Sequence, residues 1–169
     1  KDVLFNHTGD KLSISLNNSI SWKDTINVRI DYTANPKKGV YFVKPDDFYP
    51  EKPYQAWTQG EDTDNHHWVP LYDYPNERST FETILTVNKK YKAVSNGELL
   101  SKTENDDGTH TWHWKENFPM VPYLISFVVG DYVKIEDKYN NIPVNYWVYE
   151  SNQKEANRSF GLTTDMMSF

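Results

Sequence analysis

Apolar and polar residues alternate with a period of two along most of the chain. Leu12, Ile14 and Leu16 share one side of residues 12–16, and Ser13 and Ser15 share the other. That is the pattern of a strand with one face on a core. Residues 26–32 repeat it, with Ile26, Val28, Ile30 and Tyr32 alternating with Asn27, Arg29 and Asp31. Further strands are predicted at 40–43, 80–87, 91–94, 99–103, 109–115 and 144–149, punctuated by turn chemistry such as Asn35-Pro36-Lys37-Lys38-Gly39 and Ser95-Asn96-Gly97. Asp107-Gly108 joins two of them as a hairpin. The most apolar run, residues 123–133, is interrupted only at Gly130-Asp131 and predicts a strand buried on both faces. Many short strands between turns predict an all-β fold, an antiparallel β-sandwich. Trp57, Trp68, Tyr72, Phe81, Tyr123 and Phe127 are its expected inter-sheet core.

Only the end of the chain leaves this period. Ser151 can cap a helix, and Ala156, Phe160, Thr163 and Met167 recur near 3.6-residue spacing. A helix over 152–168 is predicted, weakened by roughly 1 kcal/mol at Gly161. Residues 1–150 are therefore assigned to the β-sandwich, and 151–169 to the start of a linker or helix leading into a further domain. Lys1 is preceded by no Met and followed by no apolar leader, so the chain is expected to be a processed or truncated piece of a longer one.

Composition narrows the classes. The length of 169 residues suits one domain. With 8 Phe, 6 Trp and 12 Tyr, the core must be largely aromatic. A net charge of −6 argues against a partner that tracks phosphates, so no nucleic acid is expected. No run of 18 apolar residues occurs, so no membrane-spanning helix is expected. The absence of cysteine excludes disulfides, thiolate catalysis and cysteine-ligated zinc within this chain.

Candidate chemistry is sparse. His66-His67 are adjacent and His110 and His113 three apart, spacings that point to opposite sides of an extended chain and chelate nothing alone. Asp46-Asp47, Asp62-Thr63-Asp64 and Asp106-Asp107 lack a calcium-loop pattern and are expected to be solvated turn acids. Sequons at Asn6, Asn17 and Asn157 matter only in a eukaryotic secreted protein. Residues 54–64 differ: an alternating segment reaches Thr58-Gln59, meets Gly60 and presents Glu61. Glycine there lets the backbone bend or approach something closely, as at a binding rim.

Five blocks in order carry a resemblance. Thr58-Gln59-Gly60-Glu61 is followed by Trp68-Val69-Pro70-Leu71-Tyr72-Asp73-Tyr74-Pro75 and the strand from Ser79 to Val87; then come Ala93-Val94-Ser95-Asn96 and the segment Met120-Val121-Pro122-Tyr123-Leu124 through Phe127 to Gly130-Asp131. Together they resemble the amino-terminal domain of the aminopeptidase N family of zinc metallopeptidases (the gluzincin aminopeptidases). The likeness covers about residues 39–149, and residues 14–32 more loosely. Leu71 and Tyr74 stand where the family often has Cys and Glu, and with Asn76-Glu77-Arg78 they suggest a divergent, bacterial branch.

The resemblance implies a saddle-like sandwich domain whose first strands precede Lys1. It also implies a parent enzyme whose zinc ligands and catalytic residues lie beyond Phe169, so zinc belongs to the parent and none is bound by this chain. The implied partners are the catalytic domain of the same polypeptide and the amino terminus of a peptide substrate, with neither nucleic acid nor membrane. Glu61 corresponds to the family's carboxylate for the substrate α-ammonium. Gln59, two residues earlier on the same strand face, corresponds to a residue lining the first side-chain pocket. A catalytically inert sandwich that binds protein or carbohydrate through exposed aromatics is the alternative.

Overall fold

The computed structural model describes residues 3–16 and 18–169. Its strands in chain order are β1 (Phe5–Thr8), β2 (Lys11–Ile14), β3 (Val40–Val43), β4 (Gln55–Thr58), β5 (Ser79–Asn88), β6 (Lys92–Ser95), β7 (Glu98–Glu104), β8 (Thr109–Met120), β9 (Phe127–Gly130), β10 (Tyr132–Tyr139) and β11 (Ile142–Tyr149). Two sheets, ordered β3-β4-β9-β6 and β5-β8-β7, are accompanied by the hairpins β1–β2 and β10–β11. Every pairing is antiparallel.

The period-2 pattern of β5 explains how the two larger sheets meet. Leu85 and Val87 point inward with Trp112 and Trp114 of β8, and pack on Ala93, Val94 and Val129 from β6 and β9. Ala93 is fully buried, which lets the Trp114 indole reach across and donate Nε1–H to the Ala93 carbonyl oxygen at 3.1 Å. A larger side chain at 93 would hold the sheets apart. This is the expected sandwich.

Several expectations change. Residues 26–32 form no regular element and pair with no strand among the described residues, and Ile26 and Val28 remain about half exposed at 52% and 48%. Alternation makes one face apolar; only a neighbouring backbone can turn that ribbon into a sheet. The strand predicted at 12–16 runs instead over Lys11–Ile14, and it pairs with β1, which carries no alternating pattern. The apolar run at 123–133 is not one strand. It divides into a 3-10 turn at Pro122–Leu124, then β9, then β10, because the Gly130-Asp131 corner passes the chain from one sheet to the next hairpin. The single helix at 152–168 is instead a 3-10 segment (Glu150–Glu155) followed by α1 (Ala156–Phe160) and α2 (Thr163–Met167), broken at Gly161-Leu162. Phe160 stacks on Tyr146 at 5.0 Å, so tertiary packing fixes the first short helix.

The expected core is also redistributed. Tyr72 is 57% exposed, tilted against Tyr74, because its segment runs over the surface. Trp57, Trp68, Phe81, Tyr123 and Phe127 are half-buried, while Trp112 and Trp114 take the deepest places. Among the described residues no helix is long and apolar enough to cross a membrane. The sequon at Asn17 lies outside the described residues.

Candidate functional site

The site is built at the end of β4. Thr58 ends the pairing: its hydroxyl accepts from Phe127 N at 2.9 Å and lies 3.3 Å from Phe127 O, while its backbone stands opposite Val40. The chain then turns. Gly60 is buried so tightly that a Cβ there would sit 2.4 Å from the Tyr123 carbonyl oxygen and 2.5 Å from Asn65 Nδ2. Asp64 N donates back to Gly60 O at 2.8 Å, closing a turn over residues 60–64, within which the Glu61–Asp62 peptide is cis. A 3-10 turn, Asn65–His67, follows.

Asn65 anchors this turn from below. It is 0% exposed, and its amide group donates to Pro122 O at 2.8 Å and Ile125 O at 3.0 Å. Its side-chain oxygen accepts from Trp68 Nε1 at 2.8 Å. Burying such an amide is tolerated because its donors and its oxygen all find partners. Trp68 is then held edge-on against Phe127, with centroids 5.3 Å apart. The Tyr32 hydroxyl donates to Trp68 O at 2.9 Å, and partial burial raises that phenol's pKa.

Residues 122–127 form a strap without regular pairing at its start, and side chains take up its carbonyl oxygens. Asn65 holds 122 and 125; Asn96 Nδ2 donates to Leu124 O at 3.0 Å and Ser95 Oγ to Ser126 O at 2.7 Å. Asn96 Oδ1 also accepts from Ser126 N at 2.8 Å. The acidic turn thus rests on a strap stitched from both sides.

Glu61 is exposed, and among the described residues its carboxylate makes no hydrogen bond or ion pair. Asp64 differs, lying 3.9 Å from Lys38 Nζ and 3.7 Å from His67 Nε2. Gln59 is exposed too, its backbone N–H donating to Gly39 O at 2.9 Å. The expectation that Gln59 and Glu61 share one strand face is corrected: β4 stops at Thr58, and Glu61 belongs to a turn created by the packed glycine between them. The grooves lined by Leu71, Tyr72, Arg78 and Pro122 and by Ile135, Tyr146 and Phe160 include neither residue.

His110 and His113 separate as their spacing requires, whereas His66 and His67, expected on opposite sides, lie in the 3-10 turn with ring centroids 4.1 Å apart. His113 Nε2 lies 2.6 Å from Glu82 on the outer face of β8, and His110 faces the other way with Nε2 3.6 Å from Glu104. His66 is more than a rim residue. Its backbone N–H donates to the buried Asp73 at 2.9 Å and its Nδ1 lies 3.3 Å from the same oxygen. Asp46 and Asp107 serve their own turns, Asp46 accepting from Tyr49 N at 2.8 Å and Asp107 from Thr109 N at 3.0 Å. Among the described residues no group of three or more His, Cys, Asp or Glu is gathered to hold a metal ion, so these residues do not fit a zinc centre. Asn65 was not legible as an anchor because its neighbours Asp64, His66 and His67 are polar, and Asp73, between Tyr72 and Tyr74, carries no local sign of its burial.

The fold and site define an antiparallel β-sandwich domain that displays a locked acidic turn at the end of one sheet. The chain belongs to the Peptidase M1 N-terminal domain family, which it matches over residues 1–124. It is 28% identical over 132 residues to Aminopeptidase 2, mitochondrial, of Saccharomyces cerevisiae, covering 78% of this chain and 14% of that protein. With Aminopeptidase B of Mus musculus it shares 23% identity over 132 residues, 78% of this chain and 20% of that one. Among solved structures it resembles Legionella pneumophila aminopeptidase A in complex with aspartic acid, with a TM-score of 0.68, 22% identity, and coverage of 78% of this chain and 15% of the other. The chain spans a fifth or less of the length of these proteins.

Proposed function

We propose that the chain is the amino-terminal domain of a longer zinc-dependent aminopeptidase, and that Glu61 recognises the substrate's free α-ammonium. The division of labour places residues 1–150 in the recognition domain and 151–169 in the passage to a catalytic domain of the same polypeptide. That domain would bring the zinc and the hydrolytic groups. The observation that supports this reading is a bare Glu61 carboxylate on a turn whose backbone is immobilised by Gly60 and Asn65.

An exopeptidase must measure one fixed distance from the peptide's charged end to the scissile bond. A carboxylate about 4 Å from an ammonium contributes roughly 4 kcal/mol at an effective dielectric near 20. An acylated amine offers no such charge, and it leaves the carboxylate desolvated without a partner, at a cost of about 1–3 kcal/mol. Gln59, exposed at the approach to the same turn, is assigned to the wall of the first side-chain pocket.

The test is Glu61→Ala and Glu61→Gln in the full-length protein. The expected result is a fall in kcat/KM for free-amine aminoacyl substrates of about tenfold or more, equivalent to at least about 1.4 kcal/mol. Kinetics within twofold of the parent would refute the assignment. The 169-residue chain alone is expected to show no peptide hydrolysis; metal-dependent turnover of an aminoacyl anilide by it would overturn the division of labour.

A further inference from the structure

We infer that Asn65 is a positioning residue for Glu61: it sets where the carboxylate stands, and so which substrates it can reach. The inference rests on the proposed role of Glu61 and deepens it.

Three observations carry it. Asn65 is the largest fully buried side chain among the described residues, yet it is polar: its amide group donates to two carbonyl oxygens of the strap at 122–127, and its side-chain oxygen accepts from Trp68. Gly60, the residue immediately before Glu61, is packed against the Asn65 amide so closely that even a methyl group would overlap it, at 2.5 Å from Nδ2 and 2.6 Å from Cγ. The Asp64 N–H to Gly60 O bond closes the turn on the residue next to Asn65. The position of Glu61 is therefore referred to the strap at two points, by direct packing of Gly60 on the Tyr123 carbonyl oxygen and through the Asn65 side chain to the Pro122 and Ile125 carbonyl groups.

Asn satisfies this site in a way no isostere does. Asp at 65 would aim an oxygen instead of an N–H at two carbonyl oxygens now 2.8 and 3.0 Å away. Repulsion there pushes the turn off the strap. A recognition group misplaced by about 1 Å can cost on the order of 10²-fold in rate, even when nothing at the reacting centre has changed.

The experiment uses the full-length protein with Asn65→Asp, Asn65→Ser, Glu61→Ala, Asn96→Asp and the Asn65→Asp/Glu61→Ala pair, each assayed for KM and kcat on a free-amine aminoacyl anilide and for thermal stability. Asn65→Ser keeps one hydrogen-bond donor and is the variant read if Asn65→Asp does not fold. The expected result is a rise in KM of about tenfold for the Asn65 variants with kcat within about threefold, and less than a twofold further rise when Glu61 is already Ala. Asn96→Asp sets the same repulsion against Leu124 O from the opposite side of the strap, and is expected to lower stability without that rise in KM. Equal KM effects from Asn96→Asp and Asn65→Asp, or additive effects of Asn65→Asp and Glu61→Ala, would show a merely structural residue and overturn the inference. Unchanged KM in both Asn65 variants alongside a clear Glu61→Ala effect would overturn it while leaving the Glu61 reading intact. An unchanged Glu61→Ala enzyme removes both.

Discussion

Gly39 gives the sharpest quantitative test of how the acidic turn is supported. It has φ +77°, and a Cβ there would lie 2.2 Å from Asp64 O and 2.8 Å from Trp68 Cδ1. Gly108 has nearly the same backbone, φ +81°, but a Cβ there meets nothing within 4 Å. The pair separates backbone strain from collision. At either position Ala in the left-handed region costs about 1–2 kcal/mol, offset by about 0.4–1 kcal/mol from the stiffer unfolded chain. Gly108→Ala is thus expected to lose about 1 kcal/mol. Gly39→Ala adds overpacking against a backbone carbonyl and a packed indole, typically about 1–3 kcal/mol more. For a domain of this size each kcal/mol moves Tm by about 2–4 °C. Thermal unfolding of the 169-residue chain, followed by near-ultraviolet circular dichroism, should therefore place the Gly39→Ala midpoint about 2–12 °C below that of Gly108→Ala. If both variants melt together, the turn does not rest on Gly39 as described.

Other predictions concern the sheets and the tether. Trp114→Phe leaves the Ala93 carbonyl oxygen without its buried donor and is expected to cost about 1–3 kcal/mol in urea unfolding; an unchanged midpoint would contradict that bond. Glu82 has its pKa lowered, first by the hydrogen bond from His113 and then by Lys115. Its stabilisation is present above the ordinary glutamate range and is lost as pH falls through the lower folded value. Glu82→Gln should accordingly flatten the dependence of Tm on pH below that range, and a parallel profile would count against it. Tyr32→Phe removes the hydroxyl that tethers the 26–32 segment to Trp68 O. Proteolysis within that segment should accelerate, at a stability cost of about 0.5–1.5 kcal/mol; identical cleavage rates would refute the tether.

The ends of β4 and β9 show why the acidic turn is easier to read from the sequence than what supports it. Gly60-Glu61 stood out because a glycine and a bare acid at the end of an alternating strand are locally unusual. Asn65 did not: its neighbours Asp64, His66 and His67 are all polar, and nothing in their spacing reveals an amide buried at 0% exposure. Its partners, Pro122 and Ile125, lie some sixty residues away. Asp73, between two exposed tyrosines, likewise carries no local sign that it is buried.

What the sequence determined by itself is local and periodic. Alternation specified which face of β5 turns inward, and Asp107-Gly108 specified the β7–β8 hairpin, because side-chain direction and turn geometry depend on the nearest few residues. What only the tertiary structure decided is pairing and depth. Residues 26–32 carry the same alternation as β5 but pair with no strand among the described residues, since a sheet needs a second backbone that its own residues cannot supply. Trp114 became core, and Tyr72 surface, according to which stood opposite Ala93. The backbone turn that carries Glu61 is packed at Gly60 on Asn65, whose own partners Pro122 and Ile125 are too distant along the chain for any local pattern to encode.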